Sequence, residues 1–99
     1  MSGVEWLKKK LAISRIKKME RYLEEVQCAT NNTPDIVRQT PALQKKISKL
    51  AHYYESGLWL QDYERDEEGM LPQDLKRGVL AQDTLYELLG RFKTFVVKL

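Results

Sequence analysis

From Val4 to about Cys28, apolar residues return at helical intervals. Ala12, Ile16, Met19, Leu23 and Val26 are separated by 4, 3, 4 and 3 positions, which places them on one stripe of a long helix. Leu7, Leu11 and Tyr22 widen that stripe, while Lys17, Lys18, Arg21, Glu24 and Glu25 fall largely off it. Trp6 and Ile13 also lie off it and suggest a second contact surface. Asn31-Asn32-Thr33-Pro34 breaks the helix, because asparagines suit a chain reversal and proline removes a backbone donor. Thr33-Pro34 and Thr40-Pro41 each match an N-cap followed by proline at the first helical position, the second more strongly. From there Leu43, Ile47, Leu50 and Tyr54 repeat at 4, 3 and 4 through about Glu55. Ile36 and Val37 predict a short turn of helix capping the core.

Ser56-Gly57 ends this second helix, glycine being the usual residue past a helix C-terminus. Leu58–Glu68 reads as a short helix stopped by Gly69. Leu71-Pro72-Gln73-Asp74-Leu75 reads as a tight turn, closed at Gly78 by a backbone angle that side chains resist. A last helix is expected from Gln82 to Val97, with Leu85, Leu88, Leu89, Phe92, Phe95 and Val96 on its apolar face and Asp83 near its positive end. Strand-like alternation is absent. The pattern therefore predicts an all-α fold, a compact bundle of three to four helices. Its long first helix is antiparallel to the second, the Leu58–Leu80 connection wraps one end, and a C-terminal helix closes the core.

Composition adds limits. Ninety-nine residues suit a single domain, 1–99, that buries a core without metal or disulfide staples. No apolar run approaches the ~20 residues that span a bilayer, and the run after Lys8-Lys9-Lys10 is too short for a secretory signal. One cysteine, Cys28, points to a reducing cytoplasm. Charge divides the chain: residues 1–50 carry eleven Lys/Arg against five Asp/Glu, and residues 51–99 carry six against nine. The acids concentrate between Glu55 and Glu68, so the molecule is electrically two-faced.

Candidate chemistry is sparse. Asp62, Glu64, Asp66 and Glu68 have the alternate spacing of a calcium loop, but its turn glycine would fall on Glu67 and its closing glutamate on Gln73. His52 is the one histidine, Cys28 has no histidine near it, and no nucleophile or phosphate-loop motif occurs. These residues predict no catalytic site, no metal and no cofactor, and hence a non-enzymatic protein. Lys8, Lys9, Lys10, Arg15, Lys17 and Lys18 form a basic cluster beside Trp6 that suits phosphates of nucleic acid or of a lipid surface. A solvated face, or a match for the acidic segment, is the favoured reading, since that segment would be repelled by DNA. Among the aromatics, Tyr54, Trp59 and Tyr86 are expected in the core and Tyr53 as an exposed anchor. Lys76 and Arg77 beside Asp74 and Asp83 suggest ion pairs holding the turn.

One stretch carries a resemblance. Tyr53-Tyr54, Ser56, Trp59-Leu60, Asp62-Tyr63-Glu64, Asp66-Glu67, Gly69, Leu71-Pro72, Asp74 through Leu80, Asp83, Tyr86 and Leu88-Leu89, with Met19-Glu20 upstream, resemble a family of small bacterial proteins carrying the domain of unknown function numbered 4298. The resemblance covers most of residues 13–95. It implies a small helical cytoplasmic protein with no assigned activity, ligand or partner. Family members tend to carry serine where this chain has Ala81, and many continue the first helix through Asn31–Pro34. Met1–Leu11 lies outside the pattern, as an N-terminal extension. The resulting expectation is a binding or regulatory protein that contacts another protein through an acidic-aromatic helical surface of Tyr53, Asp62, Glu64, Asp66, Asp74 and Arg77. A nucleic-acid-associated protein using the basic cluster is the alternative, and a small inhibitor or immunity-type protein is a third. The stripe on the first helix leaves a homodimer open.

Overall fold

Five α-helices and two short 3-10 helices make up the protein, seen in a computed structural model that describes residues 2–96, with side chains from Val4. Helix α1 (Ser2–Asn32) runs beyond its expected ends at Val4 and Cys28, because Asn31-Asn32 completes the last turn before Thr33-Pro34 stops it. At 1.5 Å per residue it is roughly 46 Å long, and it sets the 48 Å long axis of the molecule. Helix α2 (Ile36–Gln39) is the expected short turn and buries Val37. Its N-cap is Asp35, not Thr33. Helix α3 (Pro41–Glu55) begins with proline at its first position as expected, but Thr40 contributes no side-chain cap bond. Instead, the backbone carbonyl of Thr40 accepts from Leu43 and Gln44, and the Gln44 side chain donates to the Val37 carbonyl at 2.8 Å, tying α2 to α3.

Helices α1 and α3 are antiparallel. Lys46 pairs with Glu25, and the ammonium groups of Lys46 and Lys49 lie over the Tyr22 ring. Towards the other end, Tyr53 shares a partner with Arg15. Gly57, at φ +94°, reverses the chain into α4 (Leu58–Glu67), and Gly69, at φ +72°, ends the reversal after it. Both angles lie in the left-handed region where a side chain is strained. The 71–77 segment then crosses back to a 3-10 helix at Gly78–Leu80, followed by α5 (Gln82–Arg91) and a second 3-10 helix at Lys93–Phe95. The last α-helix is thus shorter than expected, and the expected end at Val97 lies outside the described residues. Ala81 occupies the N-cap of α5 and gives it no side-chain bond.

Ile16, Leu23 and Val26 of α1 meet Val37, Ile47, Leu50, Val79 and Leu85 in a core from which water is excluded. Burying each such side chain contributes about 1.5–3 kcal/mol, which is why the stripe read from α1 decides the fold. Two expectations about this core are corrected. Leu7 and Leu11 are more than half exposed, and Tyr86 is 67 % exposed. The cause at Tyr86 is register: Leu85, Leu88 and Phe92 form the inward line of α5, and residue 86 lies off it.

Candidate interaction surface

Helix α4 turns Trp59, Asp62 and the half-buried Asp66 inward, because spacings of 3 and 4 put them on one face. Asp62 is completely buried. Its Oδ2 accepts from Arg15 Nε at 2.9 Å and its Oδ1 from Arg15 Nη2 at 2.6 Å, a two-point grip on a carboxylate. Tyr53, itself buried, donates its hydroxyl to Oδ2 at 2.7 Å, and Arg65 Nη1 stands 3.7 Å from Oδ1. The network joins α1, α3 and α4. The hydrogen bond to Asp62 raises the Arg15 pKa above its ordinary value. Burial, and then donation to the charged Asp62, raise that of Tyr53. Tyr53 and Asp62 are therefore not contact residues as expected. A buried carboxylate needs charged partners, and Arg15, 47 positions away, supplies one.

Glu20 forms a second polar centre. Its Oε1 accepts the Val79 N–H at 2.7 Å, while the Trp59 indole donates to the Val79 carbonyl at 2.9 Å. A Cβ on Gly78 would stand 3.0 Å from Glu20 Oε2, so Gly78 leaves room for this carboxylate and does not supply a special backbone angle. Glu20 has a raised pKa. Burial is the main cause, opposed by the Val79 bond, with Glu24 raising it further and Lys76 lowering it. Because the folded value lies above the unfolded one, this contribution to stability is fully present below the unfolded pKa. It is lost as pH rises through the folded pKa. The Glu20→Gln variant is expected to lose that part of the slope, read from urea midpoints between about pH 4 and 7; an unchanged slope would refute it. Glu20 also lines a groove of about 450 Å³ between α1 and the 71–77 segment, with Ile13, Lys17, Asp74, Leu75 and Lys76.

The other expected contact residues divide. Asp66 and Arg77 are half-buried and paired, Arg77 Nε lying 2.9 Å from Asp66 Oδ1 without the alignment of a hydrogen bond. Arg77 Nη2 donates to the Pro72 carbonyl at 2.7 Å, so this side chain holds the turn. Lys76 reaches Glu24 at 3.4 Å; neither cation uses Asp74 or Asp83 as expected. Glu64 and Asp74 do face solvent. In the basic cluster, Lys8, Lys9, Lys10, Lys17 and Lys18 are exposed, whereas Arg15 is committed to Asp62. Asp62–Glu67 is helical, not a loop, and no group of acids, histidine or cysteine able to hold a metal occurs among the described residues.

At the α1 N-terminus lies a surface where the sequence pointed to Trp6 but assigned Leu7 and Leu11 to the core stripe. Helix α3 ends at Glu55, level with Arg15, so the first turns of α1 extend past it as an arm. Val4, Trp6, Leu7 and Leu11 on this arm are each more than half exposed, and Lys10 sits over the Trp6 ring at 4.5 Å. On the neighbouring element Leu60 and Met70 are 51 % and 41 % exposed, among exposed Glu64, Glu67 and Glu68. Glu5 of the arm and Gln61, Glu64, Arg65, Glu68 and Met70 line one shallow cleft, so the arm and the outer face of α4 adjoin. The 4, 7, 11 spacing was visible in the sequence; the end of its cover was not.

No described helix is long and apolar enough to cross a membrane. No curated protein and no solved structure matches the chain. A family model described as "Domain of unknown function (DUF4298)" matches residues 16–99, beginning after the arm and taking in Glu20, the α4 residues, the 71–77 segment and Gly78. With that match over most of its length, the chain belongs to the DUF4298 family.

Proposed function

We propose that the chain is a non-enzymatic binding or regulatory protein that contacts another protein through the outer face of α4 and the adjoining arm. Single exposed apolar residues are normal on a protein surface. Here Val4, Trp6, Leu7, Leu11, Leu60 and Met70, at 41–62 % exposure, occur on two adjoining elements beside Glu64, Glu67 and Glu68. That grouping carries the reading, because clustered apolar residues rimmed by charge mark interaction sites. The acidic half of the expected surface is kept through Glu64, while in its aromatic half Trp6 and apolar side chains stand in place of the buried Tyr53. The unpaired Cys28 supports a reducing compartment, the cytoplasm.

Capture of tagged protein from native lysate, with and without nuclease, tests the reading. The same partner, another copy of the chain included, is expected to be retained under nuclease. The Leu60→Asp/Glu64→Lys variant is expected to weaken it by about tenfold or more, or ~1.4 kcal/mol. Equal retention by this variant refutes the assignment. A second reading, nucleic-acid binding, is supported by the exposed Lys8, Lys9, Lys10, Lys17 and Lys18 and opposed by Glu5, Glu64 and Glu68 next to the arm. It requires loss of capture on nuclease treatment and on Lys9→Glu/Lys17→Glu substitution.

A further inference from the structure

We propose that the occupant of this surface is a second copy of the chain, docked about a two-fold axis so that each arm lies on the outer face of the other protomer's α4. The inference rests on the binding reading above and names its partner. A two-fold interface must be complementary to itself. The arm and α4 meet that condition, because the apolar strip of Val4, Leu7 and Leu11, flanked at helical spacing by Lys8 and Lys10, adjoins an apolar strip with Glu64, Glu67 and Glu68. Rotation about an axis between the strips sets lysines on glutamates and leucines on leucines.

Among the described residues, none of these two lysines and three glutamates has an ion-pair partner within its own chain. Inside one protomer the cleft between arm and α4 holds Glu5, Glu64 and Glu68 around Arg65, and no lysine of the arm lines it, so the arm's lysines do not neutralise the acidic face of their own chain. Those acids also disfavour the other occupants of a basic apolar helix, an anionic bilayer or nucleic acid, since both would be repelled where the arm joins α4. The patch comprises about a dozen residues, fewer than the roughly 20–30 per side of a standard interface. The dimer is therefore reversible, with a dissociation constant of roughly micromolar or weaker.

A charge exchange tests it. Lys8→Glu/Lys10→Glu makes both strips acidic, and Glu64→Lys/Glu68→Lys makes both basic. All four positions are exposed, so far-UV circular dichroism should not change. By light scattering and sedimentation, wild type is expected to pass from monomer to dimer with concentration. Each variant alone should need at least tenfold more protein, and an equimolar mixture should recover the wild-type midpoint, because a mixed pair sets opposite charges on both contacts. Leu7→Ser/Leu11→Ser should weaken the dimer without rescue by either charge variant. A wild type that stays monomeric to about 1 mM, a mixture that fails to recover, or co-sedimentation of a monomer with phosphatidylserine vesicles overturns the proposal. Should the mixture fail while Leu60→Asp/Glu64→Lys still abolishes capture of a different protein, the second-copy assignment falls and the binding reading stands.

Discussion

Replacing Asp62 with alanine is expected to lower stability by about 3 kcal/mol or more, the cost of removing one member of a buried charged network. The loss leaves the buried Tyr53 hydroxyl without its acceptor and Arg15 without the carboxylate it grips at two points. Arg15 keeps a route to water, its side chain being 23 % exposed, which sets the effect near the lower end of the range. For a chain of this size the midpoint of thermal unfolding should fall by roughly 12–24 °C. The triple variant Arg15→Met/Tyr53→Phe/Asp62→Leu should recover much of the loss, since apolar groups of similar volume often replace a buried ion pair and its hydrogen-bond partner at little cost. Thermal and urea denaturation followed by circular dichroism measure both. An Asp62→Ala loss below about 1 kcal/mol would show that the network is not a stabilising centre.

The second large effect belongs to Trp59→Ala, expected to cost about 3–5 kcal/mol. Trp59 stacks on Tyr63 at 5.2 Å and 15°, meets Tyr54 at 5.1 Å, and donates to the Val79 carbonyl. Its removal leaves a cavity between α4 and the 3-10 helix and an unpaired buried carbonyl. Trp59→Phe keeps most of the area but not the donor, and should cost about 1–3 kcal/mol for the orphaned acceptor. Fluorescence gives an independent check. Trp6 is 59 % exposed, so emission of either variant should shift to the red of wild type. Equal stability of Trp59→Phe and wild type would mean that the Val79 bond contributes nothing.

These two residues show how far the sequence could be read. Trp59 was legible as core, because local spacing and large apolar area point the same way. The ends of α3 and α4 were legible for a similar reason: Gly57 and Gly69 act through backbone angles, a local property. Asp62 was misread. An acid on a short charged helix looks solvated until a cation far along the chain is brought against it, and Arg15 carries no local sign of that role. A signal did exist, since 59, 62 and 66 share one helical face with Trp59 on it. Tyr53 followed Asp62 inward for want of the same partner. Gly78 was assigned to an angle because close approach by Glu20, 58 positions earlier, is a tertiary fact. The exposure of Leu7 and Leu11 on the arm escaped notice for the opposite reason. Leu7 and Leu11 continue the pattern of α1, and only the end of α3 shows that the cover stops before the pattern does.

The Arg15–Asp62 grip has a consequence for motion. Helices fray at their ends, and the α1 residues from Val4 to Leu11 have little tertiary packing to oppose this. At Arg15, unwinding meets the first side chain that would have to leave a completely buried carboxylate. Opening there costs far more than opening at any residue from Val4 to Leu11. The grip therefore acts as a stop, dividing a single continuous helix into a segment that breathes and a segment that opens only when the whole bundle does.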